Sequence, residues 1–371
     1  MGLRVFRSRS PKGNPNQGAP AVALLVLLAQ VPTALGDDFI VNDRLVSDPA
    51  SDLPQPEFDG PGDRMFWAST LNELWVARVD PLTGDISPAD GKLLMIDSGL
   101  APVGQIGNTP RISYGEEDIL IYTRREGTKN WLAVARNVDT GVWLSSLLAR
   151  GEDRFRANGT PEEFTGVARM VYNRDLPGGN TVVAWRDWND PNSEVGAQVI
   201  GQGGRFLGDE PFVLTLLEDA QGIIQIYLID LATGLGDFIT SGPPNKVNPF
   251  VWFAPEFQDW TIVTMLGFTE LAVFRRDGAS WLLDHQFTIP SEKPFLSSPE
   301  AFVHNGVSYV AVVTADELGT GDSFPGQPLG PSEIWIAGID AAQPFFRRID
   351  DPANVTQKAE PEPYQLATGS V

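Results

Sequence analysis

The tripeptide Pro-Glu-Phe stands at residues 56–58, returns at 255–257, and comes back loosened to Pro-Glu-Ala at 299–301. The grammar around it repeats too. "PEFDGPGDRMFWASTLNELWVARVDPLTG" (56–84), "PRISYGEEDILIYTRREGTKNWLAVARNVDTG" (110–141) and "PEFQDWTIVTMLGFTELAVFRRDGASW" (255–281) share one order. Each reads as a strand, a Gly/Pro/Asp turn, a second strand, a short link and a third strand ending in a turn. Weaker copies begin at Ala168 and Pro299. The third strands carry a signature of their own: "ELWVAR" (73–78), "WLAVAR" (131–136), "EVGAQV" (194–199), "ELAVFR" (270–275) and "EIWIAG" (333–338). These runs are rich in Val, Ile, Trp and Phe and bounded by Gly, Asp, Asn and Pro, as strands between turns are. No long run outside the N-terminal leader has helical spacing. A unit of this size cannot bury its apolar face alone, so repeated strand groups imply an all-β fold, the stacked blades of a β-propeller.

The starts at 56, 110, 168, 255 and 299 leave one step of 87 residues, too long for a single unit. That step holds two strand candidates of its own, "EPFVLTLL" (210–217) and "IIQIYLIDLATG" (223–234), and a start at Pro211 divides it. Six four-stranded antiparallel blades are expected, with five as the alternative if those strands form an insertion.

The N-terminus reads as an export signal. Arg4, Arg7, Arg9 and Lys12 precede the apolar run "AVALLVLLAQV" (21–31), and Ala34 and Gly36 suit a small-residue cleavage site. That run is shorter than the roughly 20 residues of a membrane span. Residues 1–36 are therefore expected to leave, with 37–371 forming one secreted or periplasmic propeller domain. The formal charge is −21, and −25 once the four basic leader residues are gone. Such a chain repels nucleic acid and anionic lipid, where binding rests on basic contacts to phosphate. With no cysteine, disulfides, thiolate metal sites and cysteine nucleophiles are excluded.

The phrase "PEFDGPGDRMFWAS…ELWVARVDPLTG" resembles the repeat of TolB-type extracytoplasmic propellers. Their units run Pro, an apolar residue, a Ser/Asp/Gly turn, an apolar strand, then Leu-Trp-Val and an Asp-x-x-Thr-Gly turn. The likeness extends over most of residues 37–371. This chain departs from it by placing Glu or Arg where the family commonly has a neutral residue. A fainter resemblance, through "FAPEF" (253–257), "SPEAFVHNG" (298–306) and "WRDWNDP" (185–191), is to five-bladed-propeller glycoside hydrolases.

The TolB-type resemblance implies that the first strand of each blade lines a central channel and begins on the binding face. The residue after each initiating Pro or Ala then falls near one mouth: Glu57, Arg111, Arg169, Glu256 and Glu300, with the fourth blade unassigned. Crowded carboxylates raise one another's pKa unless a cation offsets them, which suits a general acid paired with a base or nucleophile. The two arginines could instead clamp a carboxylate or sugar acid bidentately. The structural alternative is that these glutamates cap amides or form blade-to-blade ion pairs. Links between second and third strands are expected on the same face. Two are conspicuous: "RDWNDPNSE" (186–194), which offers Asp187, Trp188 and Asp190 for sugar stacking or as a plain Asp-Pro-Asn turn, and the Gly/Pro-rich "ELGTGDSFPGQPLGPS" (317–332), a candidate flap.

Other chemistry falls away. His285 in a strand and His304 in a turn cannot build a His-rich metal site, and no G-x-S-x-G elbow or phosphate loop exists. "RDGASW" (276–281) and "VDTGVW" (138–143) have the wrong spacing for sialidase Asp-boxes. No cofactor is expected, beyond Ca2+ held loosely by acidic turns. Two readings remain. One is a monomeric propeller binding a glycan, a sugar acid or a protein partner. The other is a carbohydrate-active hydrolase or lyase using two of Glu57, Glu256 and Glu300 at roughly 5–10 Å separation. A fold alone does not choose between them. The segment "DDFIVNDRLV" (37–46) is expected to supply a closing strand to the last blade.

Overall fold

The computed structural model describes residues 56–366 apart from 60–61, 70, 89–90, 101–110, 114–118, 140, 148–153, 160–168, 188–189, 209, 320–325, 354 and 359–360. The chain divides into residues 1–37 and 38–371. The leader, the expected closing strand 37–46 and Trp188 lie outside the described residues.

Six antiparallel sheets follow one another along the chain, each a meander in sequence order. Blade 1 comprises Glu57–Asp59, Arg64–Ala68, Leu74–Val79 and Ile86–Ser87, and Leu94–Asp97 also pairs with its third strand. Blade 2 is Arg111–Ser113, Ile119–Glu126, Lys129–Asp139 and Val142–Leu147; blade 3 is Arg154–Gly159, Arg169–Asp175, Thr181–Asp187 and Val195–Ile200. Blade 4 is Gln202–Phe206, Phe212–Glu218, Ile224–Asp230 and Gly236–Phe238. Blade 5 is Lys246–Ala254, Asp259–Leu266, Glu270–Asp277 and Ser280–Phe287. Blade 6 is Phe295–His304, Val307–Ala315, Ser332–Gly338 and Phe346–Arg348. The insertion alternative is thus excluded, because residues 202–238 make a blade of their own.

The burial pattern explains why blades stack. Second and third strands such as Arg169–Asp175, Thr181–Asp187 and Val307–Ala315 are buried on both faces over most of their length. Fourth strands such as Val142–Leu147 are largely exposed. A strand buried on both faces reads as a continuous apolar run and needs a partner on each side. The partners are the neighbouring blades. Phe66, Leu74 and Val76 meet Leu120, Tyr122 and Ala133 across blades 1 and 2; Trp252, Val263 and Met265 meet Leu296, Val310 and Val312 across blades 5 and 6. Each fully buried large apolar side chain contributes roughly 1.5–3 kcal/mol, against about 0–1 for an exposed ion pair. Apolar packing between blades therefore holds the ring, and polar links trim it. First strands neighbour one another from blade to blade and so line the axis.

The expected starts at Ala168, Pro211 and Pro255 slip in phase. Ala168 and Pro211 precede second strands, and Pro255 lies in the turn after a first strand. "EVGAQV" likewise belongs to a fourth strand, with the third strand of blade 3 being Thr181–Asp187. The cause is local: the turn residues that open a blade also stand between its first and second strands, so a Pro or Ala before an apolar run does not tell the two apart.

In the Pro255–Gln258 turn, Glu256 accepts hydrogen bonds from Ser308 N (3.0 Å) and Ser308 Oγ (2.8 Å), while Trp252 Nε1 donates to the same hydroxyl oxygen (3.0 Å). Blade 5 is thereby tied to the second strand of blade 6. Replacing Glu256 by Ala leaves the Ser308 amide unserved and is expected to lower unfolding free energy by about 1–3 kcal/mol in urea titration. An unchanged midpoint would mean that the link carries no weight.

Candidate functional site

First strands are not plain strands. In blades 3 to 6 each carries a bulge, two residues facing one, between Phe155 and Asn158, Gln202 and Arg205, Val247 and Phe250, and Ser297 and Glu300. In blades 4 to 6 its first residue takes the left-handed backbone region: Gly203 (φ 70°), Asn248 (φ 46°) and Ser298 (φ 47°). Gly adopts this freely, and a short polar side chain such as Asn tolerates it. The second bulge residue is Ala157, Gly204, Pro249 or Pro299. Proline fits where the ladder asks for no N–H. That is the physical reason for Pro249 and Pro299, which mark the bulge of the innermost strand in "NPF" (248–250) and "SPE" (298–300), whereas Pro255 lies in the turn after it.

In blades 3 to 6 the residue after the bulge resumes the ladder, and Glu57 and Arg111 hold the matching register in blades 1 and 2. Glu57, Arg111, Asn158, Arg205, Phe250 and Glu300 stand opposite Phe66, Ile121, Val171, Leu214, Val263 and Ala311. Those six partners are buried, and the first five belong to the apolar cluster shared with the next blade. Cross-strand partners share a face, so Glu57, Arg205, Phe250 and Glu300 leave their strands on the same side of successive blades. All four are half-buried. In blade 5 the position has four strand residues on either side, which puts Phe250 at mid-strand, whereas Glu57 and Arg111 are the first residues of their strands. The members in blades 4 and 5 touch: the Arg205 guanidinium carbon is 4.2 Å from the Phe250 ring centroid.

Three of the expected residues, Glu57, Arg111 and Glu300, occupy this ring. Arg205 and Phe250 belong to it and were missed, because Gly204 replaces Pro in blade 4 and "APEF" outshouts "NPF" in blade 5. The signal was the left-handed-tolerant Asn or Ser before Pro. The other expected residues gather at the opposite end of the strands, where first-to-second and third-to-fourth links run. Arg169 begins a second strand opposite Asp187, stacks on Phe206 (4.7 Å) and reaches Gly208 O (3.4 Å). Asp190 accepts the Asn192 N–H (2.8 Å) and caps a short 3-10 turn, and Ser193 Oγ receives the Asp187 N–H (2.9 Å). The link 188–194 joins third and fourth strands, so it shares this far end with Glu256. The 317–332 link does join second and third strands. Its described base is a ladder of Leu318 against Pro328, and Ser297 Oγ donates to Gly326 O (2.7 Å) beside the channel.

The glutamates of the third-strand signature have a structural task. Glu73 accepts from Trp75 Nε1 (2.9 Å), and Glu333 does the same for Trp335 (2.9 Å). Around Glu333 a network grows: Ser291 Oγ donates at 2.8 Å, Arg348 Nη1 at 2.8 Å, and Arg348 Nε reaches Asp350 at 2.9 Å. Asp350 also receives the Ile334 N–H (3.0 Å) and lies 3.1 Å from Lys358 Nζ. Burial disfavours both carboxylates, but the donors outweigh it. For Glu333 these are Trp335 and Ser291 with the Arg348 charge; for Asp350 they are Arg348, the Ile334 amide and Lys358. Both groups are held below their ordinary 4.5 and 3.8.

No protein-family model matches this chain, and no curated protein does. Solved structures are similar to it. The β-propeller domain of Cps50 (Swd1) from Myceliophteria thermophila superposes with a TM-score of 0.53 at 13% identity, over 84% of this chain and 89% of that one. TolB from Acinetobacter baumannii gives 0.45 at 15% identity, over 81% and 63%. Oligogalacturonate lyase from Vibrio parahaemolyticus gives 0.48 at 10% identity, over 79% and 76%. This chain spans 63% of the length of that TolB. Identities this low bear on the fold alone. Among the described residues, no helix is long and apolar enough to cross a membrane.

Because Glu333 and Asp350 titrate lower in the folded chain than in the unfolded one, their contribution is present above about pH 4 and fades as pH falls through the folded values. Urea unfolding between pH 7 and pH 3 is expected to show this acid loss, and Asp350→Asn to flatten it. An equal slope in the variant would remove Asp350 from the account.

Proposed function

We propose that this protein is an exported propeller that binds an anionic sugar, or a similar polar ligand carrying a carboxylate, in its central channel without turning it over. One observation carries the reading: Glu57, Arg111, Arg205 and Glu300 occupy the same register position of innermost strands, with Phe250 among them. Contact with the Phe250 ring holds the Arg205 guanidinium on the wall, and a guanidinium recognises a carboxylate through its N–H edge. Glutamates on the same wall suit sugar hydroxyls as acceptors. Turnover at paired carboxylates is the weaker reading, since Glu256 serves Ser308 at the far end and leaves only Glu57 and Glu300 on the wall. The basic leader and short apolar run support export, and the net charge of −21 speaks against nucleic acid as partner.

Calorimetry with uronate and neutral oligosaccharides tests this, with the mixtures examined for products. The uronate is expected to bind and remain intact, Arg205→Ala to weaken it about tenfold or more, and Glu256→Gln to leave it unchanged. Binding that ignores Arg205→Ala, or none at all, would refute the channel site; cleavage lost in Glu300→Gln would replace binding with catalysis.

A further inference from the structure

Five apolar clusters join blades 1 to 2, 2 to 3, 3 to 4, 4 to 5 and 5 to 6. The sixth is different. Met65, Trp67, Ala77 and Val79 lie on the face of blade 1 turned away from blade 2, and among the described residues no blade 6 side chain belongs to their cluster. Tyr364 does. Its ring lies 5.2 Å from that of Phe58, and its hydroxyl donates to Asp63 Oδ1 at 2.8 Å. Two residues on, Leu366 is 5% exposed and rests against Gly84, where an added Cβ would stand 3.4 Å from its Cδ2.

The same segment is fastened to blade 6 before it arrives. The Ser332 N–H donates to Thr356 O (3.2 Å), Ser332 Oγ to Lys358 O (2.8 Å) and Gln357 Nε2 to Pro328 O (2.8 Å), with Lys358 paired to Asp350. The chain therefore grips the last blade with residues 356–358 and the first with 364 and 366. Between these grips the sequence is "AEPEPY" (359–364), whose alternating prolines favour an extended, pre-ordered course. Tyr and Leu two residues apart on an extended chain point to one side, as two anchors on one surface should.

We propose that residues 361–366 are a detachable clasp: an extended, proline-flanked Tyr-x-Leu peptide, held in cis by blade 1, which closes the ring between blades 6 and 1. Blade 1 is accordingly a peptide-docking surface whose resident occupant is this chain's own tail. Phe58 stands beside Glu57 on the innermost strand but faces the other side with Met65, so the clasp does not depend on the channel binding a sugar.

The test uses the full chain with a specific protease site in place of residues 359–360, folded first and cut afterwards. The cut tail is expected to stay with the body through gel filtration and to exchange for excess synthetic peptide of residues 361–371. Once the tail is displaced by dilution, amide exchange in Arg64–Ala68 and Leu74–Val79 should accelerate about tenfold or more, while Asp259–Leu266 in blade 5 stays protected. In the uncut chain, Tyr364→Ala with Leu366→Ala should reproduce that local acceleration. Tail release with blade 1 still protected, or protection lost evenly in all blades, would overturn the clasp.

Discussion

The central strands of every blade are apolar on both faces, and nearly everything else follows. A sheet that is wet on one side can stand on a single core; one that must be dry on both sides needs two neighbours. Val171 and Val183 face one way and Met170, Tyr172 and Ala184 the other, so blade 3 is stable only between blades 2 and 4. Carried round the chain, that demand ends only when the last face meets the first. A ring is the arrangement that leaves no dry face over.

The ring turns a repeat in sequence into a convergence in space. Innermost strands lie closest to the axis, and in blades 3 to 6 a bulge at one place in them is followed by a residue of one register. The position can therefore vary chemically, as Glu, Arg, Asn, Arg, Phe and Glu, while its pairing with the second strand is kept. Scaffold and chemical variation are held by different atoms: ladder and bulge by the main chain, the character of the wall by the side chains after it. The tail 361–366 belongs to the scaffold half, since it supplies apolar cover where the succession of blades runs out.

Much of this was legible beforehand. Blade number, all-β class and four third-strand signatures could be read because apolar runs between turn residues are set by local chemistry. Glu57, Arg111 and Glu300 could be found because Pro precedes them. The remainder was hidden for physical reasons. Glu256 follows a proline as well, but that proline sits in a turn, and one residue of context does not distinguish a bulge from a turn. Arg205 follows glycine, which satisfies the bulge without leaving the proline mark. The role of Tyr364 depends on contact with Asp63, 301 positions away, which no window on the sequence contains.

The most direct test of the central claim is whether the ring positions surround one axis. The chain has no cysteine, so spin labels can be placed by substitution alone. Electron–electron distance measurements would compare Glu57→Cys/Glu300→Cys, on blades 1 and 6, with Arg205→Cys/Phe250→Cys, on blades 4 and 5, and Glu57→Cys/Arg205→Cys, on blades 1 and 4. A closed propeller makes the first two separations alike and the third the longest. Should the blade 1 to 6 separation exceed that between blades 1 and 4, the blades form an open arc, and the convergence argued from their register does not exist.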